Sequence, residues 1–285
     1  MIRFTSENGS PVIVAETKGC GVYLDNDSLI DLAKGCASRR QRFVDALQRK
    51  GTLLFSWTNA VEIAGPQGDS ASAVRALLND IGSHWVPLEL NPWTVVKREQ
   101  AALTTQAPVS EQFMGAYFQQ RAYDLSPEGN KVLDLSSENF FRLSAVLDWV
   151  QENRDSIRQD AVRIDDELRC RLKRLRADYE GNPASLDRLL PPERFDQHRP
   201  ATFVFLHLQR MLVIEAKAFQ FKQHDGLDLC HAVLAAAYGS VVTLDKQWKE
   251  RVARLPNSDR LAKSYYRPEL DTLVGVLESL VPPQS

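Results

Sequence analysis

Four acidic residues stand where a strand-like run gives way to a helix-like one, and carboxylates gathered at such junctions can hold a metal ion. Asp25 follows Val22-Tyr23-Leu24, and Asp245 follows Val241-Val242-Thr243-Leu244. Glu62 lies one turn into the helical pattern after Leu53-Leu54-Phe55, and Asp228 opens the helical pattern that leads into the strand before Asp245. In an open parallel sheet, ligands bind beyond the carboxyl ends of the strands, where the connecting loops splay apart. Acids supplied there by separate strand–helix units converge and repel one another, and a cation between them makes the arrangement tolerable. A set of oxygens with no Cys or His partner favours Mg2+ or Mn2+ over zinc. Each acid also has a plainer reading as a helix cap. Asp25 or Asp27 can cap the helix near Ser28, Asn59-Ala60-Val61-Glu62 has capping-box spacing, and Asp228 and Asp245 each suit a helix N-terminus. The shared placement of all four at equivalent junctions is what favours a common site.

The elements that must position these acids alternate. Val12-Ile13-Val14 and Val22-Tyr23-Leu24 read as strands, with helices from Ser28 and from Ser38 to Arg49, the latter placing Phe43, Val44 and Leu47 on one face. Thr52 to Ser56 reads as a buried strand, followed by a short helix from about Asn59 that ends at Gly65-Pro66. Ser70 to Ile81 is amphipathic, and Trp85 to Leu90 reads as a strand near a sheet edge because of Pro87. From Trp93 to Ala218 the periods are helical throughout, with one helix expected over Asn139–Arg176 and another over Ala201–His224. Alternation returns with a helix over Leu227–Tyr238, the strand Val241–Leu244, and helices over Lys246–Arg254 and Glu269–Leu280. The simplest organisation is one α/β domain formed by residues 1–95 and 225–285, carrying a helical insertion over 96–224.

Composition narrows the classes. The 285 residues carry 35 Lys plus Arg against 37 Asp plus Glu, a net charge of −2, so a chain that coats nucleic acid along its whole surface is excluded and any such contact must be a local patch. The four scattered cysteines form no CxxC pair, which predicts reduced, mostly buried thiols. No P-loop, GxGxxG or GxSxG motif occurs, so kinase, dinucleotide-redox and α/β-hydrolase chemistry lack support. The opening residues read as no secretion signal, and the longest uncharged stretch, Leu229 to Leu244, is too short and too interrupted to span a bilayer, so a cytoplasmic protein is expected. The aromatic residues Phe113, Tyr117, Phe118 and Tyr123 suit core packing. His231, one turn after Asp228, suits a packed, hydrogen-bonded histidine or a wall of the same cleft.

The four junction segments together resemble the PIN domains, metal-dependent ribonucleases that include many bacterial toxins. Val22 to Ala33 is similar to that family's opening strand and helix, Ser56 to Ile63 to its second strand and acid-bearing helix, Asp228 to Ala237 to its third acidic helix, and Val241 to Lys246 to its late strand and fourth acid. The resemblance covers roughly 20–95 and 225–255 and leaves the central block unmatched. It implies a three-layer α/β/α fold with a mostly parallel central sheet, and a Mg2+- or Mn2+-dependent endoribonuclease. Asp25 and Asp228 would be direct ligands, Glu62 and Asp245 would complete the shell, and Thr243 and Asn59 would support it. Asp27 departs from the usual motif as an added ligand or a cap, and Asp225 competes with Asp228 for the third role. The basic run Arg169, Arg171, Lys173, Arg174, together with Lys246, suits phosphate contacts; a solvated face paired with Asp165 and Asp166 explains the run equally simply. The implied partners are an RNA substrate and an antitoxin or other regulatory protein, with a homodimer open. A rival class is a PIN-like binding or assembly module whose helical block contacts a protein or nucleic acid.

Overall fold

The computed structural model describes residues 2–7, 10–64, 69–89, 91–101, 115–120, 142–215 and 220–281. Its centre is a sheet of five parallel strands, β3 (Cys20–Tyr23), β4 (Gly51–Ser56), β5 (Trp85–Leu88), β6 (Val241–Thr243) and β7 (Lys263–Tyr265), in the order β5-β4-β3-β6-β7. A separate antiparallel hairpin joins β1 (Ile2–Glu7) to β2 (Ser10–Ala15).

Strand alternation separates two cores. Val22, Leu24, Leu53, Phe55, Trp85 and Val241 point into one. Their neighbours Tyr23, Leu54, Val86, Leu88, Val242 and Leu244 point into the other. With both faces covered, the strands need no polar side, which is why they read in the sequence as unbroken apolar runs. The first core is packed by α1 (Asn26–Lys34), α2 (Ala37–Lys50), α3 (Trp57–Ala64), α4 (Asp69–Ile81), α6 (Leu143–Glu152) and α12 (Leu270–Ser279). The second is packed by α5 (Pro92–Gln100), α9 (Pro200–Ile214), α10 (Asp225–Tyr238) and α11 (Lys246–Ala253). A short α8 (Ser185–Leu189) adds Leu186 to this second core.

The long helix α7 (Arg154–Gly181) serves both layers. Ile157 and Ala161 belong to the first core, Leu168, Leu172 and Leu175 to the second, and Ile164 packs against both. At that crossing point Asp165, 3% exposed, caps the N-terminus of α10. Its Oδ1 accepts from the backbone N–H of Gly226 at 2.8 Å and of Leu227 at 3.3 Å, while Oδ2 accepts from Arg169 Nε at 2.9 Å and from His224 N–H at 3.3 Å. The approach is close enough to need a glycine. A Cβ at Gly226 would lie 2.7 Å from Asp165 Oδ1 and 2.8 Å from its carbonyl oxygen.

The structure corrects several sequence expectations. Asn139–Arg176 is not one helix: α6 and α7 meet at Asn153, and Asn139 to Phe141 lie outside the described residues. The helix expected to reach His224 stops at Ile214, and His224 takes a left-handed conformation with φ 76°. The strands β1 and β7 were not expected. Two of the four cysteines, Cys36 and Cys170, are exposed, and all four are free thiols. Pro87 does lie in an edge strand, since β5 ends the sheet; Leu90, Gly65 and Pro66 lie outside the described residues. Tyr117 and Phe118 are buried and pack edge-to-face at 5.1 Å, as core aromatics do, and Phe113 and Tyr123 lie outside the described residues. Among the described residues, no helix is long and apolar enough to cross a membrane.

Removing the cap from α10 tests this account of the crossing. Asp165→Ala leaves the first N–H groups of α10 and the Arg169 guanidinium without their partner, and is expected to lower unfolding stability by about 2–4 kcal/mol in a denaturant titration.

Candidate metal centre

The topology brings the junction acids to one place. Strands β3 and β6 are neighbours, yet the chain between them makes the outward excursion through β4 and β5, so the sheet order reverses at this pair. The crevice beyond such a reversal is where open α/β sheets bind ligands. Here it is a cavity of about 190 Å3 lined by Asp25, Asn26, Asp27, Glu62, Asp228, His231, Leu244, Asp245 and Trp248. All four acids expected from the sequence line it, as does Asp27. No Lys or Arg is among the lining residues.

Asp25 caps α1 and serves the cavity at once. Its Oδ1 accepts from Ser28 N–H at 2.9 Å and from the Thr243 hydroxyl at 3.1 Å, while the Asp25 backbone N–H donates to the same Thr243 oxygen at 2.9 Å. Capping and ligation are therefore compatible at this residue. Both bonds use Oδ1, leaving Oδ2 as the oxygen for a ligand. Thr243, fully buried at the end of β6, ties the two central strands together at the cavity.

Glu62 is not a capping-box residue. The reciprocal pair sits three residues earlier, where Ser56 Oγ accepts from Asn59 N–H at 3.1 Å and Asn59 Oδ1 accepts from Ser56 N–H at 3.0 Å. The Asn59 amide then donates to the Leu24 carbonyl and to Asn26 Oδ1, both at 3.1 Å, and the Asn26 amide donates to Glu62 Oε2. An amide chain, buried at Asn59 and reaching the surface at Asn26, thus carries the geometry of β4 to the Glu62 carboxylate. Asp245 precedes α11 at the capping position but makes no side-chain cap bond, so its carboxylate is not used up there. Asp228 sits in the first turn of α10 and accepts from the Trp248 side chain. Asp225, its rival in the sequence, accepts from the Lys222 backbone N–H and does not line the cavity.

Crowding shows in the acids' proton affinities. Burial, then repulsion from Asp228 and Asp25, pushes Glu62 up to about 7, although its side chain still reaches solvent. Burial, then repulsion from Asp245 and Asp225, does the same for Asp228, also to about 7. Asp245 is raised by burial and by Asp25 and Asp27. Asp25 is raised chiefly by burial, in part offset by its bonds to Ser28 and Thr243. His231 does not relieve them: buried in the cavity lining with Nδ1 bonded to the Tyr23 hydroxyl, it is pushed down to about 4 and stays neutral. This donor set fits a hard divalent cation, with carboxylate oxygens from four separate junctions and no positive side chain among them. Among the described residues no three His, Cys, Asp or Glu side chains stand as a group that could hold a metal ion as they are placed; the acids share the lining of the cavity.

The basic residues divide. Arg169 is held by Asp165 and Asp166. Arg171 is stacked 4.2 Å over Trp93 and donates to Gln209 at 3.1 Å. Arg169 is thus paired as the plainer reading of the run expects, and Arg171 is engaged with Trp93 and Gln209. Lys173, Arg174 and Lys246 are exposed, and Lys246 does not line the acidic cavity.

Comparison with family models, curated proteins and solved structures returns no match. The reading of the site therefore rests on its own geometry.

Folding in the absence of a cation must take up protons at Glu62 and Asp228, because their folded-state values lie near 7 and their unfolded values lie in the ordinary carboxylate range. The stabilising contribution of protonation is present below the unfolded values and is lost as pH rises through about 7. In metal-free buffer Asp228→Asn and Glu62→Gln are thus expected to melt higher than the parent at pH 8, by roughly 2–4 °C per kcal/mol of repulsion relieved. The difference should shrink toward pH 5 in differential scanning fluorimetry.

Proposed function

We propose that this chain is a Mg2+- or Mn2+-dependent endoribonuclease of PIN-like type. The single observation that carries the reading is the convergence of Asp25, Glu62, Asp228 and Asp245 in one cavity, with Thr243 tying Asp25 to the neighbouring strand. The five-stranded parallel sheet with both faces covered, and the acids in the family's order along the chain, support the finer assignment.

The residues divide the work. Asp25 and Asp228 offer carboxylate oxygens from two separate junctions, and Glu62 and Asp245 add charge directly or through water. The bound ion would polarise the scissile phosphodiester and lower the pKa of the attacking water. Thr243 and the Ser28 N–H fix the rotamer of Asp25, and the Asn59–Asn26 chain fixes Glu62, so the site is organised before the ligand arrives. Neutral His231 in the lining keeps the cavity's charge wholly negative, and Trp248 and Leu244 supply the apolar part of the lining. The proposed setting is a toxin or defence effector in the cytoplasm, restrained by a regulatory protein.

Three measurements test this. Mn2+ at a hundredfold excess over its Kd is expected to add about 2.7 kcal/mol of stability, a rise of roughly 5–10 °C for a chain of this size. That shift should fade as pH falls below about 7, where Glu62 and Asp228 take up protons. Single-stranded RNA should be cleaved with Mn2+, and Asp25→Asn or Asp228→Asn should lose at least ~100-fold, the scale on which metal-site groups act. Thr243→Val, which leaves the ligands in place, should weaken the metal by about 10–100-fold. No thermal shift at millimolar Mn2+ together with no cleavage would move the chain to the rival class of binding modules.

A further inference from the structure

The acidic cavity has a second hollow beside it. A groove of about 520 Å3 shares Glu62 with it and runs along α7, past Arg154, Arg158 and Arg169. Arg158, Val162 and Asp166 are in turn shared with a larger hollow of about 860 Å3 further along the same helix, which reaches Arg174 and also carries Asp155 and Glu167. Acidic cavity and both hollows are therefore neighbours in a row, and the row is a candidate path along a helix from the central block.

We infer that this path binds the backbone of the single-stranded RNA on its way to the acidic cavity, with Arg154 and Arg158 as its phosphate-binding residues; the inference rests on the nuclease reading above. Four observations lead there. First, a cavity lined by five carboxylates repels a polyanion, so a phosphodiester can reach it only beside cations that lower the local potential. Arg154 and Arg158 stand on the wall next to Glu62. Second, these arginines are available. Arg163 pairs with Asp160 at 2.9 Å and Arg169 with Asp165 at 2.9 Å, whereas among the described residues no carboxylate pairs with Arg154, Arg158 or Arg174. Third, Arg154 and Arg158 are four residues apart, hence on one side of the helix and separated by about 6 Å along its axis. Guanidinium groups so placed offer paired N–H donors to successive phosphate oxygens. Fourth, the floor is apolar. Val61, Ala161 and Leu227 line it, and Val162 is left 43% exposed, so base faces have a surface to lie against.

The roles differ from those read off the sequence. Arg169 holds Asp165 and so keeps α10, with Asp228, in place, while the uncommitted Arg154 and Arg158 face the incoming strand.

The test uses the full chain and a fluorescent uridine 20-mer, with binding followed by anisotropy from 50 to 200 mM salt in the Asp25→Asn background to prevent cleavage. Arg154→Ala with Arg158→Ala is expected to weaken binding roughly tenfold at the low-salt end and to reduce the slope of log K against log salt by about 1.4, the loss of two single-strand phosphate contacts. Lys at both positions should restore the slope. In the otherwise unaltered chain, the double alanine variant should lose more turnover on the 20-mer than on a uridine dinucleotide. Unchanged binding and slope in a folded double variant, with cleavage still abolished by Asp25→Asn, would overturn the path and leave the nuclease reading standing. Arginine-dependent binding without cleavage by any form would support the path and sink the nuclease reading. A glutamate 20-mer that binds as tightly as the RNA would mark the arginines as a contact for an acidic protein and overturn the inference.

Discussion

Everything near the switch point is arranged around the repulsion between carboxylates. Five acids line a cavity of about 190 Å3, and no Lys or Arg shares it. In a parallel α/β sheet the helix that follows a strand begins at the strand's carboxyl edge, so α1, α3 and α11 all start near the cavity, and α10, which precedes β6, starts there too. The partial positive charge at each helix N-terminus falls on the acids and offsets part of their mutual repulsion. Asp25 takes this furthest by capping α1 outright. An antiparallel sheet would place helix C-termini among the carboxylates and add to the repulsion. The topology and the acidic cluster are two sides of one electrostatic arrangement.

The remaining cost is met by rigidity. Thr243 locks β6 to the start of α1, the Ser56–Asn59 pair locks the start of α3, and the buried Asn59 amide reaches across to Leu24 and Asn26. The fourth helix is secured from outside the sheet by Asp165 of α7. The helical block is thus no appendage: α7 contributes to both hydrophobic cores, and its one buried carboxylate sets the N-terminus of the helix that carries Asp228. A change deep in α7 must be felt at the acidic cavity through α10.

Much of this was legible in the sequence, for a physical reason. Strands buried on both faces are continuous apolar runs with abrupt polar stops, so Leu24-Asp25 and Leu244-Asp245 announce strand ends, and the alanine-rich pattern after Asp228 announces a buried helix. What escaped was set by contacts between distant segments. The edge strand β7 is Lys263-Ser264-Tyr265, half polar because an edge needs less apolar surface. Nothing local separates α6 from α7 at Asn153, where the apolar period merely shifts to face a different neighbour. The capping register at Ser56 was misread because Asn59-Ala60-Val61-Glu62 satisfies the same spacing. Arg171 looked like a free cation, and only the approach of Trp93 and Gln209 removes it from the surface. Asp165 looked like one acid among several on a charged helix face.

The crowded acids have an energetic consequence that bears on the proposed function. A chain that only displayed its surfaces would be more stable with amides at positions 62 and 228, since both acids are held far above their ordinary proton affinities at neutral pH. Local instability of this kind is characteristic of sites whose geometry is set by the ligand they bind, and it is recovered when that ligand arrives. On the proposed reading a divalent cation would recover it, because it would bind the ionised acids together. On the same reading, the charge that makes the fold costly would make the cavity selective. A lone phosphate would be expelled, whereas a phosphodiester led in along a row of arginines toward a bound cation would find its charge matched at each step.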